Sequence, residues 1–203
     1  MNRLHGVVCS SGWWARTVEH ELLPWGLAGA ELGDDVLEIG PGFGATTRVL
    51  ADRPGALTVL ELESRYCERL RRVLPASVEV VEGDATAMPF DDGRFSAVVC
   101  FTMLHHLPSP QAQDRLLAEA ARVLRPGGVF AGTDSLGTGL LFRALHVGDT
   151  LVPVGPGGLS ERLLASGLQD PDVRRGGRSF RFRARKPEPS AAPVGERESS
   201  VSR

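Results

Sequence analysis

The chain has 203 residues, 42% of them hydrophobic, and 23 basic against 25 acidic residues leave a formal charge of −2. That length suffices for one domain with a real core, and the charge gives no global field drawing the protein to nucleic acid or a membrane surface. Cys9, Cys67 and Cys100 are scattered without C-x-x-C spacing, so neither a zinc site nor a disulfide framework is expected, no metal is assigned, and a reducing compartment fits.

Residues 1–34 read as a helical leader. Its start lacks a signal-peptide pattern, and no apolar run in the chain approaches the ~20 residues of a membrane span, so a cytoplasmic protein is expected. Trp13, Trp14 and Trp25 sit around Val18, Leu22, Leu23 and Leu27 at rough helical spacing, interrupted at Pro24. Such a helix either packs over a sheet or forms a lid with aromatic walls over a substrate pocket.

Residues 36–39 form a short apolar strand that runs into Gly40-Pro41-Gly42-Phe43-Gly44 and then a helix over 45–51. Alternating glycines at a strand-to-helix junction let a ligand lie against the main chain, and the first helical amides favour a carboxylate or phosphate. This is a nucleotide-cofactor loop. Further strands are predicted at 57–60, 78–81, 95–100 and 129–133, with helices over 64–73 and 111–124 and a stop at Arg125-Pro126-Gly127-Gly128. Strands alternating with helices at this spacing predict a parallel, doubly wound α/β sheet with helices on both faces. Helices at 139–145 and 159–165 flank a Pro/Gly-rich loop, and two short strands, 172–175 and 179–185, close the domain. In the last strand Phe180, Phe182 and Ala184 alternate with Arg181, Arg183 and Arg185, which predicts charges on the solvent side of an edge strand rather than a nucleic-acid patch. The expected domain therefore covers 35–186. Beyond it, residues 187–203 turn to Pro, Ser, Glu and Ala, the composition of a disordered tail.

The glycine loop alone fits either a methyl donor or a dinucleotide. Glu61, at the tip of the second strand, suits the ribose hydroxyls of both. The station after the third strand discriminates. In Gly83-Asp84-Ala85 an acid can accept from an exocyclic adenine amine, whereas dinucleotide enzymes need no such group there.

These features in order, Glu38-x-Gly40-x-Gly42-x-Gly44, Glu61, Gly83-Asp84-Ala85 with Pro89-Phe90, Phe95-Ser96-Ala97-Val98 and Leu124-Arg125-Pro126-Gly127-Gly128, resemble class I S-adenosylmethionine-dependent methyltransferases, in particular the small-molecule branch with the ubiquinone/menaquinone-type enzymes. The resemblance covers about half the chain. It implies a Rossmann-like sheet of about seven strands with the last inserted antiparallel, and methyl transfer from S-adenosylmethionine to a small organic acceptor. It further implies that Gly40, Pro41, Gly42 and Gly44 pass beneath the methionine part of the donor while Glu38 fixes its amino end. Glu61 would hold the ribose and Asp84 with Ala85 the adenine, flanked by Leu62 and Met88, with Cys100 completing the set. Where strand four commonly carries an acid, this chain has Ser96-Ala97, so nothing is assigned there.

Methyl transfer is an in-line displacement that needs positioning above all, with a base only when the acceptor must lose a proton. His105 and His106, after the fourth strand on the carboxyl edge of the sheet, are the candidates for that base. His146 and Asp149, in the later insert, are weaker ones. The expected acceptor pocket, built from 1–34, 101–107 and 137–158, is largely apolar, which suits an apolar or aromatic partner and no nucleic acid. Two alternatives stay open: an NAD(P)-dependent oxidoreductase, and a donor-binding module without turnover.

Overall fold

The computed structural model describes residues 6–8, 10–137, 142, 144 and 146–189. The leader comprises α1 (Gly12–Thr17), a π-helical turn (Val18–Leu22) and α2 (Leu23–Gly26). Pro24 does not break it. A proline removes one helical N–H and crowds the carbonyl a turn earlier, and the wider π turn just before it accommodates both effects. Then follow β1 (Asp35–Ile39), α3 (Ala45–Ala51), β2 (Ala56–Glu61), α4 (Ser64–Val73), β3 (Val78–Glu82), β4 (Phe95–Phe101), a 3-10 turn (Leu104–His106), α5 (Pro110–Val123), β5 (Leu124–Ser135), α6 (Pro156–Ala165), β6 (Gln169–Gly176) and β7 (Ser179–Arg185).

Among the described residues the strands form one seven-stranded sheet in the order β3-β2-β1-β4-β5-β7-β6. β1 to β5 pair in parallel, and β7 enters antiparallel between β5 and β6. Period-two alternation divides the core. Val98 and Cys100 of β4 face one cluster with Leu116 and Leu117 of α5 and Leu163 of α6. Ala97, Val99 and Phe101 face the other, with Leu50 of α3, Leu70 of α4, and Val18 and Leu23 of the leader. The expected Rossmann-like architecture is therefore present, including the antiparallel last strand. Burial on both faces explains why β1, β2 and β4 read as nearly unbroken apolar runs.

The fifth strand differs from expectation. Residues 125–128 are not a plain stop but the irregular opening of β5: Leu124 pairs with Phe95, the register shifts, and Val129 pairs with Ala97. Gly127 adopts φ +75°. Its N–H donates to the Lys186 carbonyl at 3.0 Å, and the Lys186 N–H returns to Gly128 at 2.9 Å. The Gly-Gly pair is thus captured by the sheet.

The arginine strand also needs correction. β7 is interior and β6 is the edge. Arg181 donates to the carbonyl of Trp25 at 3.1 Å, Arg183 donates to that of Gly29, and both lie within 4.0 Å of Asp172. These charges fasten the leader to the sheet, with Arg183 still partly exposed. Ser96, a position without an expected role, also ties the leader down. Its Oγ lies 2.7 Å from the Leu32 carbonyl and accepts the Asp35 N–H at 2.9 Å. Most of the helix expected over 139–145, and the tail from residue 190 onward, lie outside the described residues.

Candidate functional site

β1 ends where the apolar ladder gives way to the glycine loop. Gly40 has φ +65° and Gly44 φ +75°, conformations that other residues reach only with strain. A side chain on Gly44 would also come within 2.8 Å of Leu70. The loop is pinned from below. The Gly40 N–H donates to the Leu60 carbonyl at 2.9 Å, and the Gly42 N–H donates to Glu61 Oε2 at 3.1 Å.

A cleft of about 430 Å³ opens at the carboxyl ends of β1, β2 and β3. Its lining includes Gly40, Gly42, Glu61, Leu62, Asp84 and Ala85 from the first three strand ends, and Met103, His106, Leu107 and Asp149 from later segments. A smaller cavity of about 100 Å³ adjoins it across Gly40, Met103 and His106, and reaches Pro41, Thr46 and the leader residues Trp14, Val18 and Leu22. Thr102, in the loop between the two, holds φ +50°, a conformation that for a β-branched residue costs of order 1–3 kcal/mol and clusters at ligand sites.

Glu38 is the most unusual group near the loop. It is 1% exposed. Its Oε1 accepts a hydrogen bond from the Thr46 hydroxyl, and its Oε2 is buried with no hydrogen-bond partner. Burial pushes its pKa up from 4.5 to about 7, against the lowering effect of Thr46 and Thr47 and with some help from the nearby Glu61 charge. A buried carboxyl with one oxygen unsatisfied beneath a ligand-binding loop is suited to a cationic amino group.

Glu61 is nearly buried and already holds two backbone N–H groups, Gly42 on one oxygen and Glu63 on the other at 3.0 Å. Burial still raises its pKa. Each carboxylate oxygen has a second lone pair, so the ribose role is compatible with these bonds. Asp84 accepts the Thr86 N–H at 2.7 Å, a local turn that presents Ala85 to the cleft. Leu62 is 65% exposed on the cleft wall, where a flat ring would cover it.

Four of the expected donor residues, Glu38, Gly44, Met88 and Cys100, line neither cavity. Met88 is 5% exposed and packs in the core rather than on the cleft wall, because its N–H is drawn inward to Glu119 Oε2 at 2.6 Å. Cys100 is fully buried on the α5 face of β4, set there by strand alternation, and burial raises its thiol pKa well above the ordinary value. The Trp trio also divides. Trp14 lines the smaller cavity, Trp13 is exposed, and Trp25 lies over Gly176, where a Cβ would come within 2.5 Å of its ring.

The histidines divide as well. His106 borders both cavities. His105 does not: it is 2% exposed and turned to the end of β5, where Asp134 takes its Nδ1 on one oxygen and its backbone N–H on the other at 3.1 Å. His146 is also buried, its Nδ1 lies 2.7 Å from the Phe142 carbonyl, and burial lowers its pKa.

Sequence reasoning missed Thr46, Asp134 and Arg122. Arg122 donates to the carbonyls of Met88 at 2.9 Å and Phe90 at 2.7 Å, and pairs with Asp92 and Glu119. It thereby fixes the segment that follows Asp84 and Ala85. Its distance in sequence from that segment leaves no local signal.

Residues 37–132 match the family described as a methyltransferase domain. A fatty-acid O-methyltransferase from Mycolicibacterium smegmatis is 42% identical over 108 residues, 51% of this chain and 38% of that protein. A demethylmenaquinone methyltransferase from Tropheryma whipplei is 32% identical over 106 residues, 50% of this chain and 42% of that one. The chain thus spans about four tenths of the length of these relatives. Among solved structures, PigF with SAH superposes with a TM-score of 0.65 at 18% identity, covering 86% of this chain and 56% of that one. Its likeness is one of fold. With the glycine loop and the acids at two strand ends in place, residues 37–132 are thus similar to a methyltransferase domain.

Proposed function

We propose that the protein transfers a methyl group from S-adenosylmethionine to a small apolar or aromatic acceptor. The observation that carries this reading is that one cleft is lined by all three donor stations: the glycine loop, Glu61 with Leu62, and Asp84 with Ala85. The third station favours adenosyl over a dinucleotide, since an acid at that strand end suits an exocyclic amine. The unpartnered Glu38 Oε2 fits the donor's ammonium group.

When bound, the donor supplies an activated methyl on a sulfonium. Glu38 would hold the amino end, Gly40 and Gly42 would offer main chain without side-chain obstruction, and Glu61 would fix the ribose. The residues then align and desolvate; pre-organisation of this kind is worth up to ~7–11 kcal/mol in favourable cases. The acceptor would enter from the smaller cavity, bounded by Trp14, Leu22 and Met103. This makes the leader part of the substrate wall, and makes His106, not His105, the histidine that meets the acceptor. The fatty-acid and demethylmenaquinone names of the relatives suit an apolar acceptor, for which Trp14, Leu22, Phe101 and Met103 supply the apolar part of a mixed wall. Among the described residues no helix is long and apolar enough to cross a membrane, and the free thiols Cys67 and Cys100 accord with work in the cytoplasm.

Calorimetric titration with S-adenosylmethionine, S-adenosylhomocysteine and NADH tests the reading. Micromolar binding of the first two is expected. Glu61→Ala should weaken it at least ~10-fold, given roughly 1.5–3 kcal/mol for a hydrogen bond to a charged group. Binding of NADH instead would overturn the donor assignment.

A further inference from the structure

His105, His106 and His146 each offer a ring nitrogen, and these three atoms all lie within 4.8 Å of one another. The ring centroids are 4.3 Å apart for His105–His106, 5.2 Å for His105–His146 and 5.3 Å for His106–His146. Two of the three rings are buried, at 2% for His105 and 5% for His146.

Both buried rings are held through Nδ1 by an oxygen acceptor: Asp134 Oδ1 for His105, and the Phe142 carbonyl at 2.7 Å for His146. An Nδ1–H engaged in this way makes Nε2 the nitrogen that carries the lone pair. A carboxylate or carbonyl behind a histidine is what orients an imidazole toward a metal and raises its basicity. The backbone is braced to match. Gln113 Nε2 donates to the Leu104 carbonyl at 3.2 Å and the Val152 carbonyl at 2.9 Å, and the Val152 N–H donates to the His105 carbonyl at 2.8 Å. The turn carrying two of the histidines is thereby tied to the segment that follows the third.

We propose that His105, His106 and His146 form a binding site for one divalent transition-metal ion of the zinc type, held by three imidazole nitrogens with a fourth position open toward the cleft that His106 borders. Imidazole ligands select zinc, copper or nickel over magnesium or calcium. Three protein ligands with one open position is the arrangement of a metal that meets a substrate, whereas structural zinc sites are closed by four. Zinc–nitrogen bonds of ~2.0–2.1 Å put tetrahedral ligands roughly 3.3 Å apart. Closing from 4.8 Å therefore needs each side chain to move by less than about an ångström. The site lies beside the acceptor space, so an acceptor oxygen could fill the open position. That last clause rests on the methyl-transfer reading; the metal site itself does not.

The test uses the tag-free full chain, stripped with a chelator. It is titrated with Co²⁺, followed by visible absorption, and with Zn²⁺ by competition calorimetry. One equivalent should bind, with micromolar or tighter affinity. His106→Ala and His146→Ala should each weaken it at least ~10-fold, and Asp134→Asn, acting through His105, by ~10–100-fold. His20→Ala, on the exposed leader, should change nothing. Circular dichroism of each variant in chelator establishes folding, and His106, the least buried of the three, keeps the test available if a buried variant does not fold. No binding at millimolar metal, or binding that survives both His106→Ala and His146→Ala, overturns the site. Donor affinity measured on the stripped samples is independent of this result, so failure of the metal site and failure of the donor reading are separately visible.

Discussion

Glu38 gives the sharpest quantitative prediction. In the folded chain its pKa stands at about 7 against an ordinary 4.5, because burial outweighs the hydrogen bonding of Thr46 and Thr47. Between those values the folded state holds a proton that the unfolded state releases, so unfolding is increasingly favoured as pH rises. The gap, at ~1.4 kcal/mol per pH unit, corresponds to about 3 kcal/mol. That stabilisation is fully present below about pH 4.5 and is gone once pH has risen past about 7. Glu38→Gln removes the titration while keeping an oxygen for the Thr46 hydroxyl. Urea unfolding from pH 4.5 to 8 should therefore show the variant gaining about 3 kcal/mol on the wild type across that interval, whatever their offset at the acid end. Binding of an ammonium-bearing donor should pull the carboxyl back toward its ionised form. Calorimetry near pH 6 in buffers of different ionisation enthalpy should then register a proton released by the wild type and none by Glu38→Gln. Parallel stability curves for the two proteins would refute the assignment of a raised Glu38 pKa. Proton release unchanged in the variant would refute the contact with the donor's amino end.

If Asp84 and Ala85 hold the adenine as proposed, Arg122→Met should weaken S-adenosylmethionine binding about 10-fold without abolishing folding, since it frees the Met88 and Phe90 carbonyls and loosens the segment that follows Ala85; calorimetry checks this. Ser96→Ala leaves the Asp35 N–H and the Leu32 carbonyl without their partner. It should cost about 1–3 kcal/mol in urea unfolding and speed limited proteolysis between the leader and β1. Gly132→Ala would drive a Cβ into the Cys100 carbonyl across the β4–β5 pair, so a loss of about 3 kcal/mol is expected in the same assay.

The cleft wall built from the glycine loop and the strand-end acids was legible because its signals are local. A strand, three spaced glycines and a helix start lie in one unbroken stretch, and acids at the tips of the next two strands need only the strands to be recognised. Side-chain direction within those strands was harder. Cys100 sits at a strand end like the donor residues, yet alternation turns it into the α5 layer. Met88 lies shortly past a correct turn but is pulled inward by Glu119. The features that escaped altogether are non-local. Asp134 and His105 are 29 residues apart, and Arg122 reaches Met88 and Phe90 over 34 and 32. The alternating arginines were read correctly as a strand pattern, but no pattern within one strand reveals which elements flank it, so β7 passed for an edge.

The insertion of β7 has a consequence for the order in which the molecule can be completed. Arg181 reaches the Trp25 carbonyl across 156 positions of sequence and Arg183 reaches Gly29 across 154. On a ribosome, β1 to β5 can pair as they emerge, because each finds its neighbour among strands already made. The leader, although synthesised before all of them, has no arginine anchor until β7, with β6 paired on its outer side, has joined β5. Contacts of such long range carry the largest loop-closure penalty and form late. The strands that carry the glycine loop can thus pair early, and β7, made after them, latches α2 and the turn that follows it in place.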